Sequence, residues 1–270
     1  MNVLCIDIGN THTHFGLIEP DGGGITPGKI LTRDIDRHGT ALHREIEASL
    51  RSGPEVSGIA FCSVVPKAEE RIRGFISSLG GRTPVFQLTR DTLPAFVRLH
   101  YPNPGEIGQD RLANVVAAFR YFRLPCIVID LGTAVTFDVL SDRNGYEGGI
   151  IAPGVGAMTE YLHRQTALLP RLDEEFHIEG AIGKSTSQAM KIGCFIGFGG
   201  MLEALLQAVR EDLAEAGEAE PTVVLTGGTS ESLFPAGLKS GNKPGTHGVI
   251  RVPDLTLKGL ASAFLERISA

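Results

Sequence analysis

Two carboxylates recur in the same surroundings. The chain reads Cys5-Ile6-Asp7-Ile8-Gly9-Asn10-Thr11-His12-Thr13 near its start and Val128-Ile129-Asp130-Leu131-Gly132-Thr133-Ala134-Val135-Thr136 before its middle. In each copy an apolar run leads to Asp, an aliphatic residue and Gly, with a Thr six positions after the Asp. Backbone N–H groups gathered in a tight turn form a nest for anions. Gly9 admits close approach of a ligand, and the Thr11 and Thr13 hydroxyls add donors. Asp7 shares the sign of a phosphate, so it can serve one only through a hydrated Mg²⁺. Each copy alone could be an ordinary hairpin with Asp opening its turn. Repetition of the offsets favours two phosphate turns that face one nucleotide.

Asp130 ends the apolar run Ile127-Val128-Ile129, where a carboxylate is costly unless paired or bound to a cation. The Thr133 hydroxyl and N–H are the phosphate donors beside it. Thr226-Gly227-Gly228 is a third glycine turn after an apolar run, and its bare backbone suits the adenosine side of a nucleotide.

A different chemistry is written in Gly108-Gln109-Asp110-Arg111. Asp110 could simply cap the helix that follows. Arg111 argues otherwise, because a cation in a first helical turn opposes the macrodipole and no acid stands at 114 or 115 to pair with it. An Arg placed there faces a ligand anion such as a carboxylate. Asp110 beside it can then take a proton from a substrate hydroxyl.

Two other patterns carry less. Gly183-Lys184-Ser185-Thr186 ends like a P-loop, but the position five before Gly183 is Ile178 rather than Gly, and Asp173-Glu174-Glu175 stands where a strand is needed. Thr186 is expected to cap the next helix, to reach substrate, or both. His12 and His14, two apart on an expected strand edge, have no third metal ligand near in sequence and read as polar residues of the turn.

Elements must hold these groups. Residues 2–8, 13–19 and 30–32 read as strands, with Gly22-Gly23-Gly24 as a hairpin tip. Helical spacing covers 38–51, with Leu42, Ile46 and Leu50 on one face. A strand over 56–65, a helix over 67–78 and a strand at 84–87 follow. Residues 99–108 read as loop and 110–122 as helix. The second half repeats the plan. It has strands at 126–131, 134–140 and 148–152, an Asn144-Gly145 turn, helices over 155–167 and 186–214, a strand at 222–225, and a last helix over 256–268. Residues 237–248 read as loop. Hydrophobic strands alternating with helices predict an α/β fold, each domain a mixed and mostly parallel sheet covered on both faces. The expected domains are residues 1–117 and 118–270.

At 270 residues, 42% hydrophobic and 21% charged, the chain can bury two cores. A net charge of −6 disfavours a nucleic-acid partner. The four cysteines form no CxxC pair, which points to a reducing cytoplasm. No signal peptide, spanning helix or other membrane association is expected.

Further motifs run along the chain: Ser63-Val64-Val65-Pro66, Tyr101-Pro102-Asn103-Pro104, Gly148-Gly149-Ile150-Ile151-Ala152-Pro153-Gly154 and Asp254-Leu255-Thr256-Leu257-Lys258-Gly259-Leu260. With the turns above, they resemble the acetate kinase, sugar kinase, Hsp70 and actin superfamily, whose domains are duplicated and ribonuclease-H-like. Within it, they are similar to the type III pantothenate kinases. That resemblance implies ATP- and Mg²⁺-dependent phosphorylation of pantothenate to 4′-phosphopantothenate, the first step of coenzyme A synthesis. It implies Asp110 as base, with Tyr101, Gly108, Gln109 and Arg111 holding pantothenate. It implies a homodimer with the active site near its interface, where Thr186 reaches substrate from the partner subunit. Asp7, Ile8, Gly9, Asn10, Thr11, His12, Thr13, His14 and Thr133 match ATP-binding positions, and Asp130 matches a ligand to K⁺ or NH₄⁺. Gln109 departs from the family, which commonly has a small residue there, and so do His12 and His14. A non-catalytic transcriptional accessory protein on the same fold is the rival expectation. The presence of Asp7, Asp110, Arg111 and Asp130 favours the enzyme. The residues without the resemblance reach an ATP-dependent small-molecule kinase or ATPase.

Overall fold

A computed structural model describes residues 1–19, 28–35, 42, 44–46, 55–78, 83–172, 178, 180–228 and 248–269. In chain order the elements are β1 (Asn2–Ile8), β2 (His12–Ile18), β3 (Gly28–Leu31), β4 (Val56–Ser63), α1 (Pro66–Ser78), β5 (Val85–Gln87), α2 (Gln109–Tyr121), β6 (Cys126–Leu131), β7 (Ala134–Ser141), β8 (Gly145–Pro153), α3 (Val155–Gln165), α4 (Thr186–Glu215), β9 (Thr222–Thr226), β10 (Ile250–Arg251) and α5 (Leu255–Ser269). The chain forms two compact units, Met1–Arg123 with Asp254–Ala270, and Leu124–Pro253. These differ from the expected 117/118 division. Residues 115–118 of α2 are buried, so α2 stays whole, and α5 returns to the first unit to cover it.

In the first unit the strand order is β3-β2-β1-β4-β5. Alternation of side chains along β1 sends Leu4, Ile6 and Ile8 to one face, into a core with Phe61, Ile72 and Phe75. The expected helix over 38–51 is described only at 42 and 44–46, where Leu42 and Ile46 are buried in that core. Leu50 and the Gly22–Gly24 tip lie outside the described residues, as do 237–247 of the expected loop. α5 packs on Gly58 of β4 through Phe264, whose ring occupies the space a Cβ at Gly58 would need. Gly259 lets α5 cross α2 closely, since a Cβ there would stand 1.9 Å from the Ala113 carbonyl oxygen. Polar pairs fix the crossing: Thr256 Oγ1 donates to Asn114 Oδ1 at 2.9 Å, and the Tyr121 and Ser262 hydroxyls lie 2.9 Å apart.

The second unit has the matching order β10-β9-β6-β7-β8. In each sheet two pairings are parallel and two antiparallel, so parallel pairing is half rather than most of it. The glycine turns after β1 and β6 make one antiparallel pair in each sheet by folding the chain back beside the central strand, and β3 and β8 add the other. α4 is 30 residues long and apolar enough to cross a membrane by length and composition. Its Cys194, Phe198, Leu202, Leu206, Val209 and Leu213 form a stripe packed with Ile127, Ile129 and Phe137 of the sheet.

Candidate active site

In the first unit Asp7 sits near the end of β1, the central strand. It lies opposite His14 of β2 and Cys62 of β4. The Cys62 thiol donates to Asp7 Oδ1 at 3.3 Å. The turn that follows is closed by Gly9 N–H donating to the His12 carbonyl at 3.1 Å. Glycine is required there, since a Cβ would lie 2.9 Å from that carbonyl oxygen.

Thr32 braces the turn from below. Its hydroxyl donates to the Gly9 carbonyl at 2.7 Å, and its N–H donates to the Thr11 carbonyl at 2.9 Å. A hydroxyl has one proton, so the Thr13 hydroxyl, 3.0 Å away, donates to Thr32. Thr13 is fully buried, and its hydroxyl supports the turn instead of facing a ligand. The Ile8 side chain is buried too, whereas Asn10 and Thr11 are exposed. β2 lies between β1 and β3, so His12 and His14 stand inside the sheet and not on an edge. Burial, His12 and Lys29 lower the His14 pKa to about 4, which keeps the ring neutral.

α2 presents the second group. Gly108 is its N-cap and has no side chain to cap with. The capping role considered for Asp110 therefore fails: Asp110 is the second helical residue, and its Oδ1 accepts the Arg111 N–H at 2.8 Å. A Cβ on Gly108 would be 2.5 Å from that Oδ1, so glycine clears space for the carboxylate. Burial raises the Asp110 pKa, against a lowering by the Arg111 N–H and charge. Cys62 feels the charge of both carboxylates. Its thiol pKa is pushed well up by burial first, then by the charges of Asp7 and Asp110. Gln109 turns inward, where its Oε1 accepts from Ser63 N–H at 2.9 Å. Tyr101 and Arg111 are half-buried.

In the second unit Asp130 lies one residue before the end of β6, opposite Thr136 of β7 and Thr226 of β9. Gly132 N–H donates to the Ala134 carbonyl at 3.1 Å, leaving Gly132 and Thr133 exposed at the tip. This turn is one residue shorter than its counterpart, for Ile8 pairs with Thr13 but Leu131 pairs with Val135. Thr13 and Thr136, which match in sequence offset, are thus not structural equivalents. Gly227 (φ +94°) passes so close to Asp130 that a Cβ would stand 2.5 Å from Oδ1. Gly154 backs onto the tip, since a Cβ there would meet the Gly132 and Thr133 carbonyl oxygens at 2.5 and 2.6 Å. Gly228 is exposed. Thr186, also exposed, is the first helical residue of α4, but Ser185 makes the cap, accepting Gln188 N–H at 3.2 Å.

Comparison with known proteins decides what these turns belong to. The family profile for type III pantothenate kinase matches residues 3–208. The chain belongs to the type III pantothenate kinase family. It is 36% identical over 267 residues to the type III pantothenate kinase of Akkermansia muciniphila, covering 97% of this chain and 98% of that one. It is also 36% identical over 260 residues to that of Methylacidiphilum infernorum, covering 96% and 86%. Among solved structures, a conserved Baf family transcriptional activator from Campylobacter jejuni matches with a TM-score of 0.59, covering 99% of this chain and all of that one. At 18% identity that likeness shows a shared fold alone.

Cys62 and Thr32 stand against these turns, and Gln109 and Thr13 are bonded to protein partners. Nothing in the local sequence marks Cys62, because its place beside Asp7 comes from the β1–β4 register.

Proposed function

We propose that this chain phosphorylates the primary hydroxyl of pantothenate with ATP, giving 4′-phosphopantothenate. The observation that carries this reading is Asp110. It is a carboxylate whose pKa burial raises, it stands beside Arg111, and its charge, like that of Asp7, raises the pKa of the Cys62 thiol. A raised carboxyl is a better proton acceptor near neutrality, and it takes the hydroxyl proton as the hydroxyl oxygen attacks the γ-phosphorus. Arg111 binds the pantothenate carboxylate, and Tyr101 completes that pocket. In phosphoryl transfer the protein chiefly positions groups and neutralises charge. The N–H groups and hydroxyls at Asn10, Thr11 and Thr133 bind phosphate oxygens, and the backbone at Gly227 and Gly228 accepts the adenosine.

Mg²⁺ suits Asp7, since a single carboxylate with waters is a usual Mg²⁺ arrangement. K⁺ or NH₄⁺ suits Asp130, whose carboxylate lies beside the oxygen-rich turn of Gly132 and Thr133. Bound there, these cations supply neutralisation of phosphate charge. The enzyme works as a homodimer in the cytoplasm, and Thr186 of the partner subunit reaches substrate. Support for the dimer is an apolar groove of about 580 Å³ between α3 and α4, lined by Met158, Tyr161, Leu162, Met190 and Cys194, with Tyr161 66% exposed. The four cysteines are free and buried, as a reducing compartment allows.

ADP release should require pantothenate together with ATP, Mg²⁺ and K⁺. Release with another hydroxy acid but not with pantothenate would reassign the substrate. No turnover at saturating ligands would return the protein to the accessory-factor reading.

A further inference from the structure

We infer that Gln109 is a positioning residue that locks the first turn of α2, and with it Asp110 and Arg111, onto the exit of β4. The inference rests on Asp110 acting as the base. Gln109 Oε1 accepts two donors, Ser63 N–H at 2.9 Å and Gln87 Nε2 at 3.3 Å. A backbone N–H can only donate, so the first bond fixes the carboxamide with its oxygen toward Ser63. Both acceptor sites of that oxygen are then occupied by protein, which leaves little of it for substrate.

The location explains the need. Pairing of β4 with β5 stops at Phe61 and Gln87, two residues before Ser63. Ser63 is 6% exposed, so its N–H needs a partner from outside the ladder. Gln109 supplies it. The anchor continues outward, because Gln87 Nε2 also donates to Glu69 Oε1 at 3.1 Å and Arg73 holds Glu69 at 3.0 Å. One polar chain therefore joins α1, β5, β4 and α2. It adds an outside anchor to a turn that Gly108 cannot cap with a side chain and that is closed from within by Leu112 N–H donating to the Gly108 carbonyl at 3.0 Å and Arg111 N–H donating to Asp110 Oδ1 at 2.8 Å. A small residue at 109 could not span this distance, so the Gln109 side chain is what fastens this turn to β4.

Full-length protein carrying Gln109→Ala, Gln109→Asn or Gln109→Glu tests the idea with two readouts. Amide hydrogen exchange of the ligand-free protein needs no substrate. In Gln109→Ala the Ser63 and Leu112 amides should exchange about tenfold faster, as expected for loss of a buried bond, while Gln109→Glu, which still accepts, stays near native. In the kinase assay Gln109→Ala should lower kcat by about tenfold or more, since small displacements of reacting groups are costly. Its acid limb should move to lower pH as Asp110 becomes better solvated. In Gln109→Glu the added charge should move that limb to higher pH. If Gln109→Ala does not fold, Gln109→Asn, one methylene too short to reach Ser63, is read in the same way. Unchanged exchange, or a rise in pantothenate KM with kcat and pH limb unmoved, would overturn the inference. Absence of pantothenate turnover in the native protein would sink the kinase reading and leave the exchange result to decide this one.

Discussion

The Cys62 thiol reaches Asp7 Oδ1 at 3.3 Å while also standing in the field of Asp110. A buried neutral S–H so placed orients one carboxylate and adds no charge of its own beside the other. Cys62→Ala should therefore weaken the apparent Mg²⁺ affinity about tenfold, the usual scale for losing a partner behind a metal-binding carboxylate. Cys62→Ser keeps a donor and should retain most of it. Activity titrated against Mg²⁺ checks both variants, and equal losses would show that volume matters rather than the donated proton.

Asp110→Asn removes the proposed base and should lower kcat at least about a hundredfold with the fold intact. Near-normal turnover would discharge Asp110 from that role.

The raised Asp110 pKa also sets a pH dependence. The carboxylate must be ionised to accept a proton, so activity should fall on acidification at a pH above the ordinary 3.8. Stability runs the other way. A group whose folded pKa is raised favours the fold below its unfolded pKa and loses that contribution as pH rises through the folded value. Asp110→Asn should thus be more thermostable than the native protein at neutral pH, with the gain vanishing below the unfolded value. Melting curves across pH measure this, and a constant difference at all pH values would contradict it.

Arg111→Ala should raise KM for pantothenate more than for ATP, because the proposed carboxylate contact would be lost. Steady-state kinetics with each substrate varied separates the two. Equal changes would argue against a carboxylate clamp.

Gly227→Ala places a methyl carbon 2.5 Å from Asp130 Oδ1 and 2.6 Å from Leu131 N at φ +94°. Crowding and backbone strain together should destabilise by about 1–3 kcal/mol. A lower melting temperature with a raised ATP KM is expected, and an unchanged melt would mean that the turn moves aside freely.

Much of this was legible in the residues. Strand β1 was written in an apolar run cut by Asp7, and α2 in the spacing of Leu112, Val115, Val116 and Phe119. The Asp-aliphatic-Gly repeat announced two like sheets. Where reading failed, long-range geometry was the cause. The Thr six positions after each Asp looked equivalent, but one turn is a residue longer, and a one-residue slip sends a side chain to the opposite face. Thr13 was thereby drawn into the core. Of the two roles expected for Thr186, the cap belongs to Ser185 one residue earlier, a shift that helix boundaries invite.

The sequence alone determined which groups could carry chemistry, because carboxylates near the ends of buried strands and glycines at tight turns are demanded locally, by desolvation and by the space a Cβ would fill. Tertiary structure decided which groups meet. Cys62 comes to Asp7 from 55 positions away, and Gln109 to Ser63 from 46. Such contacts are fixed by strand register and helix docking, which follow from packing of whole faces and leave no mark on neighbouring residues.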